Sequence, residues 1–173
     1  MTLEVNEGIC LDMSTISVNQ MQYLVKAKIV DERVHGLYPD FDRATVGSVG
    51  VDLRAMLDEP LTLEPGQTEL VGSGLAVWIE DPNYAGYLLP RSGLGHKHGI
   101  VLGNLVGLID SDYTGELKMS LWNRGNETFV INPGDRVAQF VVMPVMLTKF
   151  DFVDSFDEET SRGSGGFGHS GHK

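Results

Sequence analysis

The chain of 173 residues holds a single cysteine, Cys10. No intrachain disulfide can form, so the fold must rest on a packed core, and nothing argues for an oxidising compartment. No apolar run approaches the roughly 20 residues that span a bilayer, and the chain does not open on a basic stretch followed by an apolar one. A cytoplasmic protein without a membrane partner is the expectation. Positive charge is scarce: 13 Lys and Arg stand against 24 Asp and Glu, a net charge of -11. A nonspecific nucleic-acid binder needs a basic face to displace phosphate counterions, so that class is set aside. An anionic small ligand is not excluded, because a few converging arginines hold it through short charged hydrogen bonds while the distant field is screened. Helical periodicity is also missing. No such pattern persists for a dozen residues, and the best helix candidate is a single turn near residues 92–96.

What the chain has instead is short runs of Val, Leu, Ile, Phe and Thr between turn residues, and a hydrophobic content of 42%, enough to build a core. Strands are expected at residues 25–30, 49–55, 61–63, 68–72, 75–79, 86–89, 107–109, 116–122, 128–131 and 136–143. Pro65-Gly66 and Pro133-Gly134 suit turns with proline second and glycine third, and Asn123-Arg124-Gly125-Asn126 is a further turn signal. Many short strands with this punctuation mean an all-β sandwich, jelly roll or barrel. Three parts follow: an unassigned appendage at 1–24, a β domain at 25–150 and a flexible arm at 151–173. The appendage suits either a short helix packed elsewhere or no fixed structure.

The arm ends in Arg162-Gly163-Ser164-Gly165-Gly166-Phe167-Gly168-His169-Ser170-Gly171. So much Gly and Ser cannot bury enough apolar surface to fold alone. It reads either as a solvated terminus or as a flap with an arginine for an anion and a phenyl ring for a flat partner. Four more segments carry polar residues on tight turns or strand ends, where functional groups usually sit. They are Gly50-Val51-Asp52-Leu53-Arg54-Ala55, Pro90-Arg91-Ser92-Gly93-Leu94-Gly95, Gly107-Leu108-Ile109-Asp110-Ser111-Asp112-Tyr113-Thr114-Gly115-Glu116 and Gly134-Asp135-Arg136-Val137-Ala138-Gln139. Taken singly, each has a plain structural role: Asp52 caps a turn, Ser92 caps the helical turn, Asp110 and Asp112 are turn carboxylates, Arg136 joins a surface ion pair.

Together, in this order and spacing, the five segments resemble the trimeric dUTPase family in its bacterial form, from about Lys26 to the C-terminus. The run from Pro90 through Tyr113 looks unbroken. Val46 and Val49 sit where smaller residues are expected, a departure that touches no proposed ligand contact. The resemblance implies a distorted jelly roll with a flexible C-terminal arm, and hydrolysis of dUTP to dUMP and pyrophosphate by water attack on the α-phosphorus. That reaction limits uracil in DNA and supplies dUMP for thymidylate synthesis. It implies Asp110 as the group that orients and activates the water, and Arg91, Ser92 and Gly93 as a phosphate cradle. Gln139 would hold a phosphate oxygen or the water. Mg²⁺ would be carried mainly by the substrate phosphates, with Asp52 reaching it through water. Arg162 and Ser170 would fasten the γ-phosphate, Phe167 would lie over the uracil, and Gly168 would bind substrate as part of the same arm.

Base choice falls, by the same resemblance, to the hairpin from Asn104 to about Lys118. Its main chain at Leu108 and Ile109, with the Asn104 amide, would pair with uracil. Cytosine would leave a buried N–H unpaired, at about 1–3 kcal/mol, and the thymine methyl would overpack. Tyr113 would lie under the sugar and exclude a 2′-hydroxyl. A homotrimer with sites shared between chains is implied. His96 and His98 are two apart without a third ligand nearby, which disfavours zinc. A dCTP deaminase of the same fold would lack the Arg-Gly-x-Gly-Gly-Phe-Gly arm, and a noncatalytic nucleotide sensor would be expected to lose Asp110 or the arm.

Overall fold

The structure is a computed structural model that describes residues 23–38, 41, 43–156, 160 and 162–166. Chain order is β1 (Lys26–Ile29), α1 (Val34–Leu37), β2 (Val51–Arg54), β3 (Leu61–Leu63), β4 (Thr68–Trp78), β5 (Tyr84–Pro90), α2 (Ser92–His98), β6 (Ile100–Leu102), β7 (Gly107–Ile109), β8 (Glu116–Asn123), β9 (Phe129–Ile131) and β10 (Arg136–Pro144). The strands form one four-stranded sheet in the order β1-β4-β8-β6, a second in the order β2-β10-β5-β7, and a two-stranded ribbon β3-β9. Every pairing is antiparallel. The all-β expectation holds.

Alternation in β8 shows how the layers close. Leu117, Met119, Leu121 and Asn123 are buried, while Glu116, Lys118, Ser120 and Trp122 point the other way. The buried row meets Leu53, Leu88 and Phe140 of the second sheet and Leu63 and Ile131 of the ribbon in one core. Both Pro-Gly turns form as expected. Gln67 N–H donates to Glu64 O and Asp135 N–H to Asn132 O, with Gly66 and Gly134 at φ 84° and 82°.

Several elements differ from expectation. Residues 68–72 and 75–78 belong to one strand, β4, which ends one residue short of the expected 79 and whose register against β8 shifts between Gly72 and Ala76. Gly74 at φ 72° makes that bulge, and its amide is taken by the Glu116 carboxylate. The helical turn at 92–96 runs on to His98, closed by Gly99 in the left-handed region. Ser92 opens this helix; its side chain does not cap it. The short β6 and α1 had no signal of their own. Asp31, bound by Arg33 through both backbone and guanidinium, fixes the start of α1, and Val34 and Tyr38 bury a small satellite core with Met56. Burial pushes the Tyr38 phenol up to about 12, so it stays neutral and hydrogen-bonds to the backbone of Arg54 in β2 and of Ser73 in β4.

Asn123, fully buried at the end of β8, ties the ribbon to the sheet. Its amide nitrogen donates to Leu63 O (2.9 Å) and Glu127 O (2.8 Å), and its oxygen accepts from Gly125 N–H (2.9 Å). Asn123→Ala removes all three bonds and is expected to lower stability by about 3 kcal/mol. A melting temperature within a degree of wild type would refute this.

Candidate functional site

Three strands of the second sheet bring the first set of expected residues together. In the ladder, Gln139 of β10 lies opposite Asp52 of β2 on one side and Leu89 of β5 on the other. A bulge between Arg136 and Ala138 lets Val137 and Ala138 both bury and re-aims the strand, which brings Gln139 into register with Asp52. Strand β5 ends at Pro90, and Arg91, Ser92 and Gly93 turn into α2 beside it. The result is a cavity of about 330 Å³ lined by Asp52, Arg91, Ser92, Gly93 and Gln139, with Ser48, Val49 and Gly50 as its outer wall.

Charge in this cavity is organised around one carboxylate. Asp52 Oδ1 accepts from Arg91 Nε at 2.9 Å, and Oδ2 from an Arg136 guanidinium nitrogen at 3.2 Å. Arg91 also donates to the Arg136 carbonyl at 3.2 Å. Arg91 and Asp52 line the cavity as an ion pair, and Arg136, outside the lining, holds the second carboxylate oxygen. Gln139 donates to Pro90 O at 3.1 Å, which fixes the amide plane and leaves its oxygen and second N–H available. Gly50 is the residue that lets it pack there: a Cβ on Gly50 would stand 2.5 Å from Gln139 Oε1.

One isolated carboxylate does not make a protein cage for a metal. Among the described residues no group of three His, Cys, Asp or Glu is placed to hold one. A half-buried carboxylate on the cavity wall does suit a hydrated Mg²⁺ whose other ligands are phosphates and water.

The second set of expected residues lies elsewhere. β7 pairs with β5 through Gly86↔Ile109, Tyr87↔Leu108 and Leu88↔Gly107. Gly86 and Arg91 are five residues apart along an extended chain, about 16 Å at the usual rise of a strand. Asp110 follows Ile109 and lies farther still from the cradle. It is exposed, and its carboxylate has no hydrogen-bond or ion-pair partner among the described residues. Tyr113 N–H donates to Asp110 O, and the Tyr113 hydroxyl returns to Glu116 O at 2.9 Å. Asn104, Leu108 and Lys118 are also exposed on this hairpin region. Arg162 is exposed and donates to Gly165 O within its own turn. Phe167, Gly168 and Ser170 lie outside the described residues. The cavity gathers five of the expected residues, and Asp110, Tyr113 and Arg162 are not among those that line it.

Two features gain detail that the sequence did not carry. Val49, a departure that touches no proposed ligand contact, lines the cavity. Arg136 read as a surface ion pair, and it is one, but its partner is the central carboxylate. Spacing alone carries no trace of that; the strand register does. A second concavity of about 340 Å³, at the far end of α2, is lined by His96, Lys97, His98, Arg124 and Glu127 and holds none of the expected residues.

A family model described as dUTPase matches residues 38–171. A deoxyuridine 5'-triphosphate nucleotidohydrolase of Idiomarina loihiensis is 62% identical over 147 residues, covering 85% of this chain and 97% of that protein. One from Azotobacter vinelandii is 64% identical over 147 residues, with the same coverage. Among solved structures, a Staphylococcus bacteriophage 80alpha dUTPase variant with dUpNHpp aligns with a TM-score of 0.74 at 23% identity, covering 87% of this chain and 99% of that one. At that identity the likeness speaks for the fold.

Proposed function

The chain belongs to the dUTPase family, and on that premise we propose that it hydrolyses dUTP to dUMP and pyrophosphate. The observation that carries the reading is the cradle: Asp52, Arg91, Ser92, Gly93 and Gln139 converge on one cavity. Arg91 keeps a guanidinium edge free beyond its bonds to Asp52 and Arg136, and the backbone N–H groups at Ser92 and Gly93 supply neutral donors for phosphate oxygens. Asp110 takes a proton from a water whose oxygen bonds to the α-phosphorus. The bond from that phosphorus to the bridging oxygen breaks, and the electron pair leaves with pyrophosphate. A carboxylate is a weak base, so positioning and charge neutralisation supply most of the rate. Bound Mg²⁺ would neutralise phosphate charge, with Asp52 as its contact through water.

We also propose a homotrimer in which each site draws on several chains. The separation of Asp110 from the cradle within one chain supports this, since a residue at the far end of β5 and β7 cannot reach a phosphate held at Arg91. Residues 145–156 support it as well. Met146, Phe152 and Phe156 are each at least 90% exposed, surface that a neighbouring chain would cover. On this reading residues 25–150 form the domain and 151–173 the arm, with Arg162 and Ser170 closing on the γ-phosphate, Phe167 on uracil and Gly168 binding substrate as part of the same arm. Asn104, Leu108, Ile109 and Lys118 flank the base, and Tyr113 the sugar. We place the enzyme in the cytoplasm; among the described residues no helix is long and apolar enough to cross a membrane.

The test is pyrophosphate release from dUTP beside dTTP, dCTP and UTP. Turnover of dUTP alone to dUMP and pyrophosphate is expected. Formation of dUDP and phosphate, or ammonia from dCTP, would overturn the reading. A deaminase needs a glutamate at the pyrimidine, and Glu116 of the hairpin turns its carboxylate to Gly74 N–H instead.

A further inference from the structure

We infer that Gly115 determines selectivity for deoxyribose by giving Tyr113 room to fold onto the hairpin backbone; this rests on Tyr113 being the wall under the sugar. The chain turns between Asp110 and β8, and Tyr113 N–H closes that turn on Asp110 O at 3.1 Å. The ring then lies back across Gly115, and its hydroxyl donates to Glu116 O at 2.9 Å. A Cβ built on Gly115 would stand 2.5 Å from Tyr113 Oη, 2.7 Å from Cζ and 3.1 Å from Cε2. The φ of Gly115 is outside the left-handed region, so the backbone itself would accept alanine. The demand for glycine here is for space, and the space is filled by one side chain.

Which partner yields to an added methyl follows from what holds each. Glu116 is paired with Ala76 in β4, and its carboxylate accepts Gly74 N–H at 2.9 Å, so the strand beneath the ring is pinned. Tyr113 is 42% exposed, and the bond to Glu116 O is the side-chain hydrogen bond it makes among the described residues. The ring moves and the strand stays. Exclusion of a single hydroxyl depends on a wall that cannot retreat, because a shift of a few tenths of an ångström relieves the overlap that rejects it. A displaced ring therefore costs discrimination before it costs the fold.

The experiment compares kcat/KM for dUTP and UTP, with melting temperature and oligomer size as controls. In Gly115→Ala the dUTP to UTP ratio is expected to fall about tenfold or more, by the sensitivity of aligned sites to small misplacement, with the fold retained. The double variant Gly115→Ala/Tyr113→Ala should fall no further than Tyr113→Ala alone, since alanine at 115 acts through the ring. A wild-type ratio in Gly115→Ala, with a lowered ratio in Tyr113→Ala, overturns the inference and leaves the reading of Tyr113 standing. A wild-type ratio in Tyr113→Ala overturns that reading and the inference with it. If Gly115→Ala does not fold, Tyr113→Phe carries the test. It removes the anchor to Glu116 without adding an atom, so the ratio should drop severalfold, and an unchanged ratio overturns the inference.

Discussion

Asp110→Asn is expected to bind dUTP within a fewfold of wild type and to turn it over about 10²–10⁴ times more slowly. The structure separates the two jobs a turn carboxylate can have. The turn at Asp110 is closed by its backbone carbonyl, which accepts from Tyr113 N–H, and asparagine keeps that bond. The carboxylate itself has no hydrogen-bond or ion-pair partner among the described residues, so its loss costs the fold nothing. Asparagine fills the same space and can still orient a water, but it cannot accept the proton. The effect should therefore appear in kcat, measured by single-turnover hydrolysis, and hardly at all in the affinity for a nonhydrolysable dUTP analogue. A kcat within threefold of wild type would reduce Asp110 to a turn residue and send the search for a base elsewhere.

Two inactive variants are expected to restore activity when they are assembled together. One carries Asp110→Asn with its arm intact; the other keeps Asp110 and lacks residues 162–173. The distance along β5 places Asp110 out of reach of its own chain's cradle, and the exposed apolar residues from Met146 to Phe156 suit an arm that crosses to a neighbour. If each site takes its hairpin from one chain and its arm from another, random assembly at equal amounts gives a good hairpin half the time and a good arm half the time. About a quarter of the wild-type rate should then return. If hairpin and arm reach a site from the same chain, every site lacks one of them, and no mixing ratio recovers activity. The arm-deleted variant should keep its melting temperature, because a Gly- and Ser-rich tail contributes nothing to the core.

Glycine and proline explain how much of this was legible. Turns at Pro65-Gly66 and Pro133-Gly134 were readable because each residue restricts or frees φ by itself. β8 was readable because its burial alternates with period two over its whole length. The elements that escaped have no local cause. β6, at Ile100–Leu102, is a strand because β8 offers it an edge. α1 is a turn of helix because Asp31 and Arg33 meet and Val34 has a pocket to fill. The two halves of β4 read as separate strands because Gly72 and Gly74 interrupt the apolar run, and they are one strand because β8 and Glu116 carry the pairing across the gap.

By itself the sequence determined the all-β class and most of the strands, and it supplied residue types suited to the proposed phosphate cradle, base-selecting hairpin and closing arm. Those follow from local properties: period, turn chemistry, the donors a side chain carries. Only the tertiary structure decided which of them meet. Strand register sets Gln139 opposite Asp52 and brings Arg136 to that same carboxylate, and register is a relation between distant segments that no local pattern encodes. The same register puts Asp110 toward the other end of β5 from Arg91, which is why we propose that a site draws these residues from different chains.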